Sequence, residues 1–131
     1  MKRRRNTWQR EIILQAAVER CDHPTADQIY LALAPEYPRI SRGTVYRNLK
    51  LLSESGQLQQ LKIPGADRFD RRVEQHSHLY CVRCQSVCDV DTPYDAGLDE
   101  QAARETGCRV TGHYVLFQGV CPACLAQDGN G

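Results

Sequence analysis

The chain has 131 residues, a formal net charge of +1 and 25% charged residues, which is typical of a globular protein with one or two small domains. No stretch reaches the length of about 18 apolar residues that a membrane-spanning helix needs, and the basic start MKRRRNTWQR lacks the apolar core of a signal peptide. The sequence therefore excludes a membrane-spanning protein and predicts a soluble, cytoplasmic one. The chain has seven cysteines, and in a reducing compartment those at paired short spacing are expected to be metal ligands rather than disulfides.

Charge divides the chain into two parts. Residues 1–72 carry fourteen Lys or Arg against eight Asp or Glu, whereas residues 73–131 carry three against eight. A basic part predicts a polyanion as partner, and an acidic part that is rich in His and Cys predicts bound cations. The modest total charge thus conceals two parts with different expected partners.

Three helices are expected in the basic part. In TWQREIILQAAVERC, Ile12, Ala16 and Glu19 share a stripe that is expected to pack inward, with two further apolar residues beside it. In HPTADQIYLALAPEYP, Thr25 is the expected N-cap, and Gln28 three residues later completes a capping box. Both segments have the length and spacing of short amphipathic helices.

The third helix is followed by a hairpin. The segment SRGTVYRNLKLLSESG is expected to begin after Ser41 as N-cap and to stop at Gly56, with apolar residues at i, i+4 and i+7 facing inward. The strand QQLKI, the turn PGAD and the strand RFD then predict a two-stranded hairpin. Helices followed by such a hairpin in a basic segment predict a winged helix-turn-helix, whose third helix enters the DNA major groove.

The exposed side of the third helix supplies candidate DNA contacts. Arg47 can donate two hydrogen bonds to guanine, and Tyr46 can lie against a thymine methyl group or a phosphate. The full set of candidates on this helix is Arg42, Thr44, Tyr46, Arg47 and Lys50. The basic residues 2–5 can reach phosphates or a minor groove. The alternative is that all of these are ordinary solvated side chains.

The cysteines form the most specific pattern in the sequence. Cys81 and Cys84 make one C-x2-C pair, and Cys121 and Cys124 make a second. Two such pairs complete a tetrahedral thiolate shell for zinc at about 2.3 Å per bond, and a closed shell is structural. Neither pair is expected at a strand-to-helix junction, which disfavours a thiol-disulfide oxidoreductase. That enzyme and a zinc-ribbon scaffold for RNA or protein complexes remain as alternatives.

Two histidines lie just before the first cysteine pair. His76 and His78 are two positions apart, so on a strand both side chains point to the same face. Asp70 and Asp89 are the nearest polar candidates to complete a site. Nitrogen and oxygen donors suit Fe(II), Mn(II), Zn(II) or Ni(II). The alternative is that the two histidines are merely solvated on a strand.

Taken in order, the segments RNTWQR, HPTADQIY, GTVYRNLKLLSESGQL, DRFD, HSHLYCVRC, VCDV and GVCPAC resemble the Fur superfamily of metal-responsive bacterial repressors. The resemblance runs from about Arg5 to Cys124 and implies an α+β homodimer that binds double-stranded DNA and is not an enzyme. It implies a winged-helix DNA-binding domain at 1–72, a hinge with metal ligands at 73–78, and a small α/β dimerisation domain with a four-cysteine zinc site at 79–131.

The resemblance also implies two metal sites and several DNA contacts. Structural zinc falls on Cys81, Cys84, Cys121 and Cys124, and a regulatory Fe(II) or Mn(II) falls on His23, Asp70, His76, His78 and Asp89. His23 enters this set only through the resemblance. The family's DNA contacts correspond to Arg5 at the minor groove and to Tyr46 and Arg47 in the third helix. No small organic substrate is implied.

Three features distinguish branches of the superfamily. Asp89 and the donor set without cysteine resemble the peroxide-sensing PerR branch, which implies metal-catalysed oxidation of His23 or His76. Arg47 instead resembles the iron-responsive ferric uptake repressors, which remain the alternative. Zinc-responsive members usually carry a cysteine near the position of Asp70, and this chain has none there. A peroxide-sensing repressor is therefore the favoured prediction.

Two further expectations concern the acidic part. An additional metal site found in many relatives falls here on Gln75, Ser77 and His113, and since the first two are poor ligands this site is expected to be absent. Cys88 is expected to be a small buried apolar residue, and the alternative is a second point of oxidation beside Asp89.

Overall fold

The computed structural model describes residues 7–129, and it consists of two compact units, Met1–Val73 and Glu74–Gly131. The first unit is helical with one hairpin, and the second is a small sheet with two helices. This mixture confirms the predicted α+β class. No helix within the described range is long and apolar enough to cross a membrane.

The first unit begins with three helices, α1 (Thr7–Val18), α2 (Ala26–Leu33) and α3 (Arg42–Glu54). Local signals fix their ends. Thr25 caps α2 by accepting a hydrogen bond from the backbone N–H of Gln28, whose side chain accepts from the Thr25 N–H, which is the predicted capping box. Ser41 caps α3 in the predicted way, and Gly56 follows its end with φ of 82°.

One face of each helix packs into a common core. In α3 the predicted inward residues Val45, Leu49 and Leu52 are all buried. In α1 the predicted stripe is off by one position, because Ile13 and Ala17 are fully buried, whereas Glu19 is exposed. The main buried cluster among the described residues of this unit consists of Ile13, Ala17, Ala26, Ile29, Leu33, Ile40, Val45, Leu49, Leu52, Leu58 and Phe69.

The hairpin that follows α3 has two short antiparallel strands, β1 (Gln59–Leu61) and β2 (Arg68–Asp70). Phe69 is buried and belongs to the helical core, so the hairpin is anchored to the helices through β2. Three helices followed by a packed hairpin are the arrangement expected of a winged helix.

The second unit contains β3 (Ser77–Cys81), β4 (Val87–Val90), α4 (Ala96–Thr106), β5 (Leu116–Gly119) and α5 (Pro122–Gly129). The strands form a sheet in the order β4, β3, β5, with β4 antiparallel and β5 parallel to β3. Because β3 begins at Ser77, the last part of the predicted hinge range lies within a strand. The roles predicted for the three segments stay predictions.

The second unit buries little apolar surface. Its buried apolar residues are Tyr80, Cys81, Val87 and Cys124, and α4 buries none of its residues. A unit of this size with so small a core needs a metal ion or a partner to be stable.

Candidate metal centres and DNA-reading surface

The four cysteines of the two C-x2-C pairs come together in the second unit. Their sulfur atoms lie within 4.8 Å of one another, with 3.9 Å between Cys81 and Cys124 and 3.6 Å between Cys84 and Cys121. Cys81 ends β3, whereas Cys121 and Cys124 lie where β5 leads into α5. The expectation that neither pair occupies a strand-to-helix junction was therefore wrong for the second pair. Even so, the convergence of four thiols is the geometry of a four-cysteine zinc site.

Local hydrogen bonds favour thiolate at one end of the cluster. The backbone N–H groups of Cys84 and Cys121 point at the Cys81 sulfur, at 3.5 and 3.4 Å, and they lower the pKa of that thiol to about 6. The neighbouring sulfur of Cys121, together with desolvation, raises the pKa of Cys124 to about 12. Four thiolates this close repel one another, so the cluster fits a divalent cation that offsets their charge.

In the first unit, His23 and Asp70 form a buried pair. The His23 Nε2 atom lies 3.3 Å from an Asp70 carboxylate oxygen, and each side chain is only 5% exposed. His23 has φ of 53°, in the left-handed region, and its carbonyl accepts a hydrogen bond of 3.2 Å from Arg68. The Phe69 N–H donates to the carbonyl of Pro24 at 2.9 Å. Strand β2 therefore holds the loop that carries His23 beside its own last residue.

In the second unit, two histidines converge on one carboxylate. Strand pairing sets His78 opposite Asp89, and the Nε2 atoms of His76 and His78 lie 2.9 and 3.3 Å from one Asp89 oxygen. The His76 Nδ1 atom lies 2.8 Å from the Glu74 carbonyl, which only accepts hydrogen bonds, so that nitrogen carries the proton. Nε2 is therefore the His76 atom suited to a metal, and all three residues fit a cation that prefers nitrogen and oxygen ligands.

His76 and His78 can be predicted as candidate ligands from the sequence alone, because their spacing places both side chains on one face of a strand. His23 was different. It lies 47 positions from Asp70, and only the resemblance to a family, or the fold itself, indicates that the two belong together.

Helix α3 and the hairpin line a cleft of about 410 Å³. Tyr46, Arg47 and Lys50 form one wall, and the hairpin turn 65–67 contributes to the lining. Tyr46 is 54% exposed, and Arg47 donates a hydrogen bond of 3.3 Å to the Thr44 hydroxyl. Three predicted DNA contacts thus face one concave surface, which suits a nucleic-acid backbone and groove.

Two other predicted DNA contacts are placed differently. Arg42 pairs with Asp27 and stacks on the Tyr30 ring, with 4.5 Å between its guanidinium carbon and the ring centroid. Arg5 lies outside the described residues. Both assignments stay predictions.

The positions of the additional metal site hold hydrogen-bonded groups. The Ser77 and Thr92 hydroxyls are 2.5 Å apart, and His113 Nδ1 lies 2.7 Å from Asp99. Hydrogen bonds from Tyr94 and His113 hold the pKa of Asp99 below its usual value. The hydrogen bond between Tyr94 and Asp99 also raises the pKa of Tyr94.

Cys88 is exposed, so its predicted burial was wrong. It lies on β4 between Val87, which is buried, and Asp89, which is partly buried, and alternation along the strand turns the Cys88 side chain to the opposite face.

Comparison with known proteins gives consistent matches. The sequence model of the "Ferric uptake regulator family" matches residues 2–118. The Bacillus subtilis peroxide operon regulator is 37% identical over 127 residues, which cover 96% of this chain and 88% of that protein. The peroxide-responsive repressor PerR of Staphylococcus epidermidis is 35% identical over 127 residues, covering 96% and 84%.

A solved structure agrees with these relatives. The Campylobacter jejuni peroxide stress regulator matches with a TM-score of 0.68 and 30% identity, over 92% of this chain and 91% of that chain. These matches confirm the prediction of a metal-dependent transcriptional repressor that is not an enzyme. Proteins of this kind bind DNA and act as dimers. The chain belongs to the ferric uptake regulator family.

Proposed function

We propose that the protein is a homodimeric, peroxide-sensing repressor that binds its operator when Fe(II) or Mn(II) occupies a regulatory site. The observation that carries this proposal is the convergence of two buried imidazoles on Asp89, at 2.9 and 3.3 Å. Buried histidines around one carboxylate, without a cysteine, form a set that suits these metals. A repressor of this kind acts in the cytoplasm, where a bacterial chromosome lies.

The regulatory site is proposed to take ligands from both units. His23 and Asp70 would supply one imidazole and one carboxylate, and His76, His78 and Asp89 would supply the rest. The four residues other than Asp89 are buried, Asp89 is partly buried, and each set is arranged within its own unit. Asp70 and His76 are only six positions apart on either side of the unit boundary, so a shared ion would fix the connecting segment. Metal binding and DNA binding would then be coupled.

The DNA-binding role is assigned to the exposed side of α3. Tyr46, Arg47 and Lys50 line the cleft beside the hairpin, and the first part of the chain carries the positive charge surplus. Arg47 would donate to guanine, and Lys50 would contact phosphate. Metal-controlled orientation of two such helices in a dimer would set their spacing on the operator.

The second unit is proposed as the dimerisation domain. It exposes large apolar side chains, including Tyr114 at 84% and Leu125 at 55%, and α4 buries none of its residues. Exposed apolar surface next to so small a core is typical of an interface. The four-cysteine cluster would hold structural zinc that supports this surface.

Peroxide sensing is proposed from the donor set and from the relatives, two of which are named as peroxide regulators. Fe(II) held by His23, Asp70, His76, His78 and Asp89 would be oxidised as it reduces peroxide, and this would supply the oxidant that adds oxygen to an adjacent imidazole. His76 is held by its Nδ1 hydrogen bond to the Glu74 carbonyl, which keeps Nε2 directed toward Asp89. Oxidation of His76 or His23 would remove a ligand and release the operator.

An iron-responsive ferric uptake repressor is the second candidate. Arg47 within TVYRNL favours it, because the resemblance connects arginine at this position with that branch. In that case free Fe(II) alone would control DNA binding. Zinc sensing is less favoured because no cysteine lies near Asp70.

In the deciding experiment, the dimer is loaded with Fe(II) under anaerobic conditions and then treated with a slight excess of peroxide. We expect one added oxygen on His23 or His76 by peptide mass spectrometry, together with release from DNA. The Mn(II)-loaded protein is the matched control and should remain unmodified and bound. Unmodified histidines, with DNA binding that follows free Fe(II) only, would favour the iron-responsive repressor.

A pair of histidine variants tests the site itself. We expect His78→Ala to abolish the metal response of DNA binding while zinc remains bound. His113→Ala is the matched control, because His113 pairs with Asp99 outside the proposed set. A normal metal response of His78→Ala would show that the assigned site is wrong, and absence of stoichiometric zinc would instead reopen the thiol-disulfide alternative.

A further inference from the structure

The first residue of α3, Arg42, makes its contacts within the protein. Its guanidinium forms an ion pair with Asp27 and lies over the Tyr30 ring at 4.5 Å, and both partners belong to α2. A cation at a helix N-terminus is disfavoured by the helix dipole, so Arg42 gains little from its own helix. Its favourable interactions come from α2 instead.

The negative charge of Asp27 makes the surroundings of Arg42 unfavourable for a DNA phosphate. The Asp27 carboxylate is 49% exposed and lies beside the start of the helix proposed to read the operator. A DNA phosphate that approached Arg42 would also approach this carboxylate and be repelled. Arg47 and Lys50 line the cleft between α3 and the hairpin, whereas Asp27 and Arg42 are not among the residues that line it. The basic residues of α3 thus fall into two groups with different surroundings.

We propose that Arg42 is a positioning residue that neutralises Asp27 and ties the start of α3 to α2, and that it makes no contact with DNA. The proposal rests on the proposed function insofar as α3 is taken to read the operator. Among the basic residues of α3, it leaves direct contact with DNA to Arg47 and Lys50, which line the cleft.

The salt dependence of DNA affinity tests the proposal. The probe is a duplex enriched from a random-sequence library by the Mn(II)-loaded wild-type protein. We expect Arg42→Ala to weaken binding by roughly fivefold, because the unneutralised Asp27 carboxylate then repels a nearby phosphate, with the slope of log affinity against log salt unchanged. Loss of a phosphate contact would instead reduce that slope by about one. Unchanged affinity of Arg42→Ala, or a slope reduced in this way, would overturn the proposal.

A double variant distinguishes neutralisation of Asp27 by Arg42 from direct contact of Arg42 with DNA. In Arg42→Ala the Asp27 carboxylate is left unpaired, so Asp27→Asn added to it should restore most of the lost affinity. If Arg42 touches DNA, Arg42→Ala costs the same factor in affinity whether position 27 holds Asp or Asn, and the proposal is rejected. Arg42→Lys keeps the charge and should lose less affinity than Arg42→Ala.

A measurement without DNA distinguishes failure of this inference from failure of the proposed function. Thermal unfolding of wild type, Arg42→Ala, Asp27→Asn and the double variant forms a complete cycle. We expect the two changes to be coupled, so that the double variant is more stable than the sum of the single effects predicts. If the effects of the two changes on stability are additive, Arg42 and Asp27 do not interact, and the proposal is wrong. If coupling is present but wild-type protein shows no metal-dependent DNA binding, the proposed function fails instead.

Discussion

At the residue scale, His23 combines an unusual backbone with a proposed role as a ligand. Its φ of 53° lies in the left-handed region, where glycine is free of the steric cost that other residues meet. Contacts from Arg68 and Phe69 hold the surrounding loop in place. We therefore expect His23→Gly to be more stable than His23→Ala by about 1 kcal/mol in urea unfolding of the protein without regulatory metal. Both variants should lose the metal response.

A matched pair of variants at Gln15 provides the control. Gln15 is exposed within α1, where alanine is favoured over glycine by about 1 kcal/mol. The glycine variant should therefore be the more stable one at position 23, and the alanine variant should be the more stable one at position 15. An alanine at position 23 that is as stable as glycine would contradict a strained backbone there.

The same residue shows what the sequence could not reveal. The pair His76 and His78 follows from spacing on a strand, and the zinc cysteines follow from two short motifs. His23 has no such neighbour, because its partner Asp70 comes from a distant strand. A ligand set assembled by tertiary contacts is predicted only through resemblance or through the fold.

At the element scale, the turn between β3 and β4 carries the first cysteine pair. Gln85, just after Cys84, has φ of 67°, and its N–H donates to the Cys81 carbonyl at 2.9 Å. Glycine adopts this conformation without steric cost, so we expect Gln85→Gly to stabilise the zinc-loaded second unit by about 0.5–1 kcal/mol. Thermal unfolding of the zinc-loaded protein measures this difference.

The control for this change lies in α4. Gln101 is exposed within that helix, and Gln101→Gly should destabilise the same unit, because glycine disfavours a helix interior. If both glycine variants destabilise the unit, the turn is not held in the left-handed conformation, and the expected gain at position 85 is wrong.

Elements with local signals were predicted well and the others were not. The capping box at Thr25, the cap at Ser41 and the hairpin after Gly56 depend on residues within a few positions of one another. The predicted stripe of α1 is off by one position, because the apolar residues Ile13 and Ala17 lie beside it and are the ones that are buried. The parallel pairing of β5 with β3 joins segments about 40 positions apart, and no short pattern indicates it.

At the scale of the whole molecule, the two units differ in what holds them together. The first unit has a continuous core of eleven apolar residues from all three helices and the hairpin. Among the described residues of the second unit, the buried apolar ones are Tyr80, Val87 and two cysteines, and those cysteines belong to the four-cysteine cluster. Hydrophobic burial can therefore account for the stability of the first unit, whereas so small a core in the second is typical of units stabilised by a metal ion or by association.

Removal of zinc should consequently affect one unit only. Structural zinc contributes an apparent free energy of about 10–16 kcal/mol in small zinc domains, which exceeds what four buried residues can replace. We expect Cys121→Ser to lose zinc, to run as a monomer in sizing experiments and to lose the unfolding transition of the second unit in calorimetry. The transition of the first unit should remain. Cys108→Ser, at an exposed cysteine outside the cluster, is the control and should behave as wild type. A zinc-free protein that keeps both transitions and stays dimeric would show that the second unit is held together by contacts other than the metal.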